Sequence, residues 1–323
     1  MELFSDVGSI PTISTIDYRE HLLVLPIIIY TSKVEMVRIE GDCAEAQATH
    51  CRMNKEHIII DFSSIYGYND SIRGADSMND SPDLVIVAGD GVSEEAALAL
   101  SKRVGAPLSD TMGEGLTLAY DKSGLSLVGY GMRFQGDYEA LLRRISGGRL
   151  SHEMLVKIAK TKTEHPVAID AAAGMGEDAL LLAAAGYTVY LFEQDAVIAA
   201  LLSDTIERAK RNPALKEVVD RMILTEGNSI ELMSSIPEKP DLIYLDPMFP
   251  ARSKSGLVNK KLLLIQKLEQ PCAQERELLE AALSLRPKKI VVKRPLNGET
   301  LAGRKPSYTI KGKAIRYDVI VPS

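Results

Sequence analysis

The stretch that decides the fold is Val167-Ala168-Ile169-Asp170-Ala171-Ala172-Ala173-Gly174-Met175-Gly176-Glu177-Asp178-Ala179. Its apolar start predicts a buried β-strand, and the residues after Gly176 are typical of a helix. Gly174 and Gly176 permit a tight turn and a close approach of the backbone to a ligand, while the small Ala179 lets the helix lie near the sheet. This G-x-G-x-x-A pattern predicts a nucleotide-type cofactor, either a dinucleotide or S-adenosylmethionine (SAM).

Acidic residues around this turn favour SAM over a dinucleotide. Asp170 places an anion near the positively charged part of SAM, whereas the diphosphate of a dinucleotide prefers a site without nearby anions. Glu177 and Asp178 make the start of the helix acidic, which disfavours a diphosphate there as well.

Two later strands end in further candidate cofactor ligands. Glu193 ends the second strand, where a carboxylate accepts hydrogen bonds from ribose hydroxyls of either cofactor. Asn228 and Ser229 follow the third strand, at the place where adenine is commonly held. The alternative for this pair is a helix N-cap, which Asn or Ser fills well.

Strands and helices alternate regularly from Val167 onward. The predicted strands are Val167–Asp170, Thr188–Phe192, Met222–Thr225, Asp241–Leu245 and Lys289–Lys293, followed by an antiparallel pair at Tyr308–Ile310 and Ile315–Val321. The main predicted helices are Asp178–Ala185, Ala196 to about Arg211, and Arg276–Leu285. This alternation predicts an α/β fold with a doubly wound, mostly parallel sheet.

The rest of the chain is harder to interpret, and we predict three parts in all. Residues 1–82 form an N-terminal extension of unknown role, with strands at Leu22–Tyr30, Val34–Ile39 and His57–Phe62. Residues 83–150 form a smaller α+β domain with a strand at Leu84–Ala88, a helix from Ser93 to about Val104, and a hairpin of Leu116–Tyr120 and Leu125–Val128. Residues 151–323 form the larger domain, which contains the glycine-rich turn.

Composition indicates a cytoplasmic globular protein of 323 residues. Three scattered cysteines are too few for a disulfide framework, no secretory leader pattern opens the chain, and the run Leu22–Tyr30 is too short to cross a bilayer. Cys43, His50, Cys51 and His57 lie close in sequence, but their spacing matches no common zinc pattern, so we expect no metal.

Charge is distributed unevenly along the chain, whose net charge is −6. Residues 1–246 carry 22 Lys and Arg against 38 Asp and Glu, whereas residues 247–323 carry 16 against 6. Clustered Lys and Arg supply phosphate affinity that does not depend on nucleotide sequence. The basic C-terminal part therefore favours a nucleic-acid partner over a solvated basic face with no ligand.

A second informative stretch is Leu242-Ile243-Tyr244-Leu245-Asp246-Pro247-Met248-Phe249-Pro250. It resembles the (Asn/Asp)-Pro-Pro-(Tyr/Phe) motif of methyltransferases that act on planar exocyclic amines, with Met248 in place of the second proline. The lone pair of such an amine is delocalised into its ring. Asp246 and the carbonyl of Pro247 are expected to accept both N–H groups and direct the lone pair at the methyl donor, while Phe249 stacks on the base. The alternative is a proline-rich strand exit with Phe249 packed in the core.

The strings Asp170 to Gly176, Tyr244 to Pro250, Val291 to Pro295 and Lys311-Gly312 together resemble the RsmJ family. Its members are bacterial SAM-dependent methyltransferases that modify guanine N2 in 16S ribosomal RNA. The resemblance therefore implies that residues 151–323 form the methyltransferase domain, with a seven-stranded Rossmann-like sheet of the SAM-dependent methyltransferase type. The resemblance extends from about Leu84 to the end of the chain and leaves out residues 1–80. It implies SAM contacts at Glu177, Asp178, Glu193, Gln194, Asn228, Ser229 and Asp246, with Glu177 and Asn228 standing where the family is expected to have arginine and serine.

Six basic residues near this motif are candidates for RNA-phosphate contacts: Arg252, Lys254, Lys260, Lys261, Lys293 and Arg294. Their alternative interpretation is surface charge on loops. The leading hypothesis is methyl transfer from SAM to guanine N2 of small-subunit rRNA, free or in the 30S subunit, with no metal and no membrane involved. Alternatives are methylation of adenine N6 or a protein glutamine, a non-catalytic RNA-binding protein that retains a vestigial cofactor fold, and a dinucleotide-dependent oxidoreductase.

Overall fold

The glycine-rich turn joins a strand to a helix in the computed structural model of the protein. The structure describes residues 38–40, 51–53, 58–61, 84–247, 264–265, 268 and 273–322. Two units divide the chain, Met1–Asn79 and Asp80–Ser323.

The described part of the first unit is a three-stranded sheet. Its strands are β1 (Arg38–Glu40), β2 (Cys51–Met53) and β3 (Ile58–Asp61). The middle strand β3 pairs parallel with β1 and antiparallel with β2. Strands β1 and β3 overlap predicted strands, whereas β2 was not predicted. The predicted strand Leu22–Tyr30 and the residues Cys43, His50 and His57 lie outside the described ranges.

The second unit begins with a four-stranded sheet. Its elements are β4 (Leu84–Ala88), α1 (Glu94–Val104), β5 (Leu116–Asp121), β6 (Gly124–Gly129) and β7 (Met132–Phe134). The strand order is β4-β5-β6-β7, with β4 parallel to β5 and the other pairs antiparallel. Ser93 caps α1 by accepting a hydrogen bond from the Ala96 amide, so the predicted start of this helix is confirmed.

Short helices connect this sheet to the larger one. A 3₁₀ turn at Glu139–Leu141 leads into α2 (Leu142–Ile145), and a second at Arg149–His152 precedes α3 (Met154–Ala159). The division of the second unit near residue 150 stays a prediction, since both sheets belong to one compact unit.

The larger sheet has seven strands, as the sequence predicts. The strands are β8 (Val167–Asp170), β9 (Thr188–Glu193), β10 (Met222–Glu226), β11 (Leu242–Leu245), β12 (Lys289–Pro295), β13 (Tyr308–Lys311) and β14 (Ile315–Ile320). Their spatial order is β10-β9-β8-β11-β12-β14-β13. The first five are mutually parallel, and β14 lies antiparallel between β12 and β13.

Helices cover both faces of this sheet. They are α4 (Glu177–Ala184), α5 (Ala196–Ala209), α6 (Pro213–Val219), α7 (Ser229–Leu232) and α8 (Glu275–Ser284). Alternate residues of each strand enter two separate cores: Leu242 and Tyr244 pack with α4, whereas Ile243 and Leu245 pack with α8. The predicted doubly wound arrangement is therefore confirmed.

The small sheet packs on one of these helices. Ile86, Leu118 and Leu127 share a core with Ile198 and Leu201 of α5. Leu202 and Ile206 of the same helix pack in the core of the large sheet, so α5 has one sheet on each side. Met175, in the glycine-rich turn, packs against the core of the small sheet.

The helix predicted from Ala196 to about Arg211 is confirmed as α5, which ends at Ala209. A separate helix, α6, begins at Pro213 and was not predicted. Proline lacks the N–H that would continue a helix, and Asn212 caps the new one by accepting from the Ala214 amide.

Candidate active site

The glycine-rich turn is held in place by its neighbours. Gly174 and Gly176 both have positive φ, 52° and 68°, which favours glycine. The hydroxyl of Tyr138 donates to the Met175 carbonyl at 2.9 Å and covers the turn. A Cβ placed on Gly176 would lie 2.5 Å from that hydroxyl oxygen, so the turn leaves no room for a side chain there.

Glu193, at the end of β9, connects the turn to the next helix. Its Oε2 accepts from the Gly174 amide at 2.8 Å, and its Oε1 accepts from the Asp195 amide at 2.9 Å. Burial raises the pKa of this carboxyl, and the backbone amides oppose part of that rise. The carboxylate therefore fixes the backbone of the turn while it lines the adjacent cavity.

A cavity of about 400 Å³ opens at the carboxyl edge of the sheet. Its lining comprises backbone and polar groups from the strand exits together with apolar side chains: Ala171, Ala172, Gly174, Phe192, Glu193, Gln194, Asp195, Gly227, Asn228, Ser229, Ile230, Pro247, Leu268, Ala273, Gln274 and Leu278. Its described wall has two carboxylates and no lysine or arginine. That charge suits a sulfonium cofactor with ribose hydroxyls better than a diphosphate.

The pair Asn228-Ser229 combines its two interpretations. Asn228 Oδ1 accepts from the Ile230 amide at 3.0 Å and so caps α7. Both residues also line the cavity, as Gln194 does, beside the end of β9. These three predicted cofactor residues are therefore brought together with Gly174 and Glu193.

Asp170 ends strand β8, four residues before Gly174. Its side chain is buried, and its Oδ1 accepts from the Ala172 amide at 3.3 Å. Burial raises the pKa of Asp170 well above its usual value, and nearby Asp178 adds to the rise. The described residues that line the cavity do not include Asp170, Gly176, Glu177, Asp178 or Asp246, so the cofactor contacts of these five residues stay predictions.

Asp246 follows β11 and belongs to a cluster of charged side chains. Lys293 Nζ lies 2.8 Å from Asp246 Oδ2 and 2.8 Å from Asp178 Oδ2. The hydroxyl of Tyr244 donates to the same Asp178 oxygen at 2.6 Å. Pro247, the next residue after Asp246, lines the cavity. Of the predicted reaction motif, Pro247 thus lies at the cavity wall, and Asp246 before it belongs to an ion pair that was not predicted.

Of the six predicted RNA-phosphate residues, Lys293 and Arg294 are described. Lys293 is paired as above, and the Arg294 side chain is 2% exposed and forms an ion pair with Glu275 at 3.1 Å. Their observed partners give both residues an internal role, and the phosphate contact stays a prediction. Arg252, Lys254, Lys260 and Lys261, together with Phe249, lie outside the described residues.

Sequence reasoning missed Tyr244 and the Lys293 pairing, although two patterns point to them. Tyr244 lies on β11 and Asp246 is two positions further on, just past the end of the strand, and residues two apart on an extended backbone face the same side. The parallel register aligns Leu245 with Val292, so the next positions are Asp246 and Lys293. Leu268, Ala273, Gln274 and Leu278 were also missed, because nothing in their sequence marks them as cavity residues.

The described residues contain neither a candidate metal-binding cluster nor a candidate membrane-spanning helix. No group of three or more His, Cys, Asp and Glu among the described residues is arranged to hold a metal ion. In the same ranges, no helix is long and apolar enough to cross a membrane.

Comparison with known proteins gives consistent matches. Residues 118–322 match a family described as "Putative SAM-dependent methyltransferase". Ribosomal RNA small subunit methyltransferase J of Thioalkalivibrio sulfidiphilus is 40% identical over 237 residues, which are 70% of this chain and 93% of the relative. The protein of the same name from Pseudomonas aeruginosa is 37% identical over 235 residues, or 70% and 89%. A crystal structure of a SAM-dependent methyltransferase from Neisseria gonorrhoeae matches with a TM-score of 0.56 and 32% identity, covering 74% of this chain and 96% of that one.

The seven-stranded fold, the acidic cavity and these matches define a SAM-dependent methyltransferase, an enzyme that uses SAM as its methyl donor. Within that class the chain belongs to the RsmJ family, whose curated members carry the name ribosomal RNA small subunit methyltransferase J. The fold, cofactor and family predicted from the sequence are confirmed.

Proposed function

We propose that this enzyme transfers a methyl group to the exocyclic N2 amine of a guanine in small-subunit (16S) rRNA. The observation that carries the proposal is the Asp246 carboxylate, held by Lys293 at the sheet edge, immediately before the cavity residue Pro247. The names of the relatives, which refer to the small ribosomal subunit, support the choice of RNA.

The residues of the chain have separate tasks in this proposal. When bound, SAM supplies an electrophilic methyl group. Asp246 and the carbonyl of Pro247 accept the two N–H groups of the amine, so its lone pair is directed at that methyl group. The negative charge of Asp246 also stabilises the positive charge that develops on the nitrogen. Phe249, outside the described residues, is assigned to stacking on the base.

The substrate side of the proposal is electrostatic. Residues 247–323 carry 16 Lys and Arg against 6 Asp and Glu, which favours binding to RNA phosphates. Arg252, Lys254, Lys260 and Lys261 are assigned to those phosphates, either in free rRNA or in the 30S subunit. Ribosomal RNA as the substrate places the enzyme in the cytoplasm.

A labelling experiment tests the proposal. The enzyme is incubated with methyl-labelled SAM and 30S subunits from cells that lack it, and the RNA is digested to nucleosides for mass spectrometry. We expect label in N2-methylguanosine. Asp246→Asn should lower the rate by about 100-fold or more, because one acceptor and its charge are lost.

Asp220→Asn is the matched control, since Asp220 pairs with Lys216 on the surface of α6 and lies outside the site. It should keep the wild-type rate. Label in N6-methyladenosine or in a protein glutamine would show that the substrate is one of the alternative amines and not guanine N2. Absence of label from rRNA with the intact enzyme would contradict the proposal altogether.

A further inference from the structure

Lys293 is the central cation of the charged cluster beside the reaction site. Its ammonium lies 2.8 Å from a carboxylate oxygen of Asp246 and 2.8 Å from one of Asp178. Its side chain is 27% exposed and that of Asp246 is 33% exposed, so their ion pair is partly shielded from water. Two of the three N–H groups of the ammonium thus have carboxylate partners within the chain.

The fold explains why these residues meet. Strands β11 and β12 are parallel neighbours, and their register places Asp246 beside Lys293 just past the last aligned pair, Leu245 and Val292. Asp178 comes from the first turn of α4, on the face of the sheet toward which Tyr244 points. Tyr244 donates to Asp178 and orients it toward Lys293.

The electrostatic surroundings are unusually acidic. Burial opposes the charged form of Lys293, but Asp246 and Asp178 outweigh it and raise the pKa of the ammonium, which therefore stays protonated. Burial raises the pKa of Asp246, Lys293 opposes the rise, and Asp178 adds to it. The other titratable and charged groups near the cluster are Asp170, Tyr244, Arg294, Tyr317 and Glu153, the last paired with Arg144.

We propose that Lys293 is a positioning residue for methyl transfer: its ammonium holds the Asp246 carboxylate ionised and fixed, so that Asp246 accepts an N–H of the target amine. A protonated carboxyl would offer a donor where the amine also offers one. The inference rests on the proposed function, since it assigns Asp246 its role as acceptor. It replaces the expected contact of Lys293 with RNA phosphate.

The pH dependence of the rate separates this role from a phosphate contact. At saturating SAM and RNA, the acid limb of kcat reports protonation of the acceptor in the bound complex. Lys293→Met removes the nearby positive charge, so the limb should move to higher pH by about 1–3 units. Lys293→Arg keeps the charge and should leave the limb near its wild-type position.

Asp178→Asn gives a shift of opposite sign. Asp178 raises the pKa of Asp246, so its neutralisation should move the acid limb to lower pH. Lys289→Met is the control on the same strand, because Lys289 lies at the far end of β12 and donates to the Ile158 carbonyl. The limb should not move in this variant.

Three results would overturn the inference. The first is an unchanged acid limb in Lys293→Met with a raised KM for RNA, which indicates a phosphate contact. The second is a shift of the same sign in Lys293→Met and Asp178→Asn, which indicates general disruption of the site. The third is an acid limb that moves in Lys293→Arg, although the positive charge is kept. If Lys293→Met does not fold, Lys293→Arg and Asp178→Asn decide the question.

A direct titration keeps this test separate from the proposed function. Carbon NMR of the Asp246 carboxyl, in the wild-type enzyme and in Lys293→Met, measures its pKa without any substrate. An inactive wild-type enzyme would refute rRNA methylation alone. Equal Asp246 pKa values in the two proteins would refute the role of Lys293 alone.

Discussion

Two carboxylates stand on either side of the central strand β8, and they are held in different ways. Glu193, after β9, accepts hydrogen bonds from two backbone amides, those of Gly174 and Asp195. Asp246, after β11, is held by the side chain of Lys293. Backbone donors fix a position and keep a constant dipole, whereas an ammonium also sets the charge of its partner. The cofactor side is therefore built for rigidity and the reaction side for control of protonation.

The largest expected effect on stability is at the glycine-rich turn, where a substitution tests the rigidity of the cofactor side. Gly176→Ala should destabilise the protein by about 2–5 kcal/mol, because left-handed backbone costs about 1–2 kcal/mol and a crowded methyl about 1–3 kcal/mol. The new Cβ would lie 2.5 Å from the Tyr138 hydroxyl oxygen and 2.9 Å from a methyl carbon of Leu202. The measurement is the free energy of unfolding in urea.

Gly105→Ala is the matched control for that measurement. Gly105 has the same φ of 68° as Gly176, but a Cβ there meets nothing within 4 Å. It should show the backbone cost alone, about 1–2 kcal/mol. If both variants lose the same free energy of unfolding, then Tyr138 and Leu202 move aside for the methyl group at no cost. The cofactor side would then be less rigid than we infer.

Replacing Glu193 and Asp246 by their amides tests whether the two carboxylates have different roles. Glu193→Gln should weaken SAM binding by about 10–100-fold, because one charge-assisted hydrogen bond is lost and the new NH₂ group faces an amide donor. Asp246→Asn should leave SAM affinity within about threefold while it lowers kcat by about 100-fold or more, since loss of a group acting in the transition state affects kcat. Isothermal calorimetry with SAM measures both affinities.

Glu226→Gln controls for removal of a carboxylate at a neighbouring strand end. Glu226 ends β10 and pairs with Arg103 on the surface, a contact worth about 0–1 kcal/mol. SAM affinity should be unchanged. A loss of affinity in Asp246→Asn as large as that in Glu193→Gln would erase the distinction between the two sides.

The substitution Asp170→Asn has the smallest expected effect. It tests the buried carboxylate of β8, the strand that lies between Glu193 and Asp246. Burial raises the folded-state pKa of Asp170, so its favourable contribution is complete below the unfolded-state pKa and is lost as pH rises through the folded-state value. Asparagine retains an acceptor for the Ala172 amide and avoids that loss. The variant should match wild type in acid and become relatively more stable toward neutral pH, as urea denaturation at several pH values will measure. A stability difference independent of pH would contradict this assignment.

Local sequence predicted the cofactor side better than the reaction side. Strand β8, the turn and Glu193 lie within 27 residues, and each is marked by its own residue types. The pairing of Lys293 with Asp178 joins positions 115 residues apart and depends on strand order and register. Those are tertiary properties, so the charge of Lys293 and its place at the end of a strand predict a contact with RNA phosphate and do not predict this ion pair.

Irregular local geometry explains why strand β7 was not predicted from the sequence. Strand β7 follows a turn in which Tyr130 and Gly131 both have positive φ, and Tyr130 is an unusual residue for such a turn. The cavity residues Leu268, Ala273, Gln274 and Leu278 are ordinary apolar and polar side chains that become recognisable only by their position.

The order of the strands also bears on how the enzyme is made. Strand β12, which carries Lys293, has β11 on one side and β14 on the other, and β14 is the last of these strands to be synthesised. Until Ile315–Ile320 has left the ribosome, β12 presents an unpaired edge, which is a template for wrong pairing. The cofactor turn can form earlier, from contiguous segments. A nascent chain is therefore expected to acquire its SAM pocket first and a properly charged reaction centre at the final stage of folding.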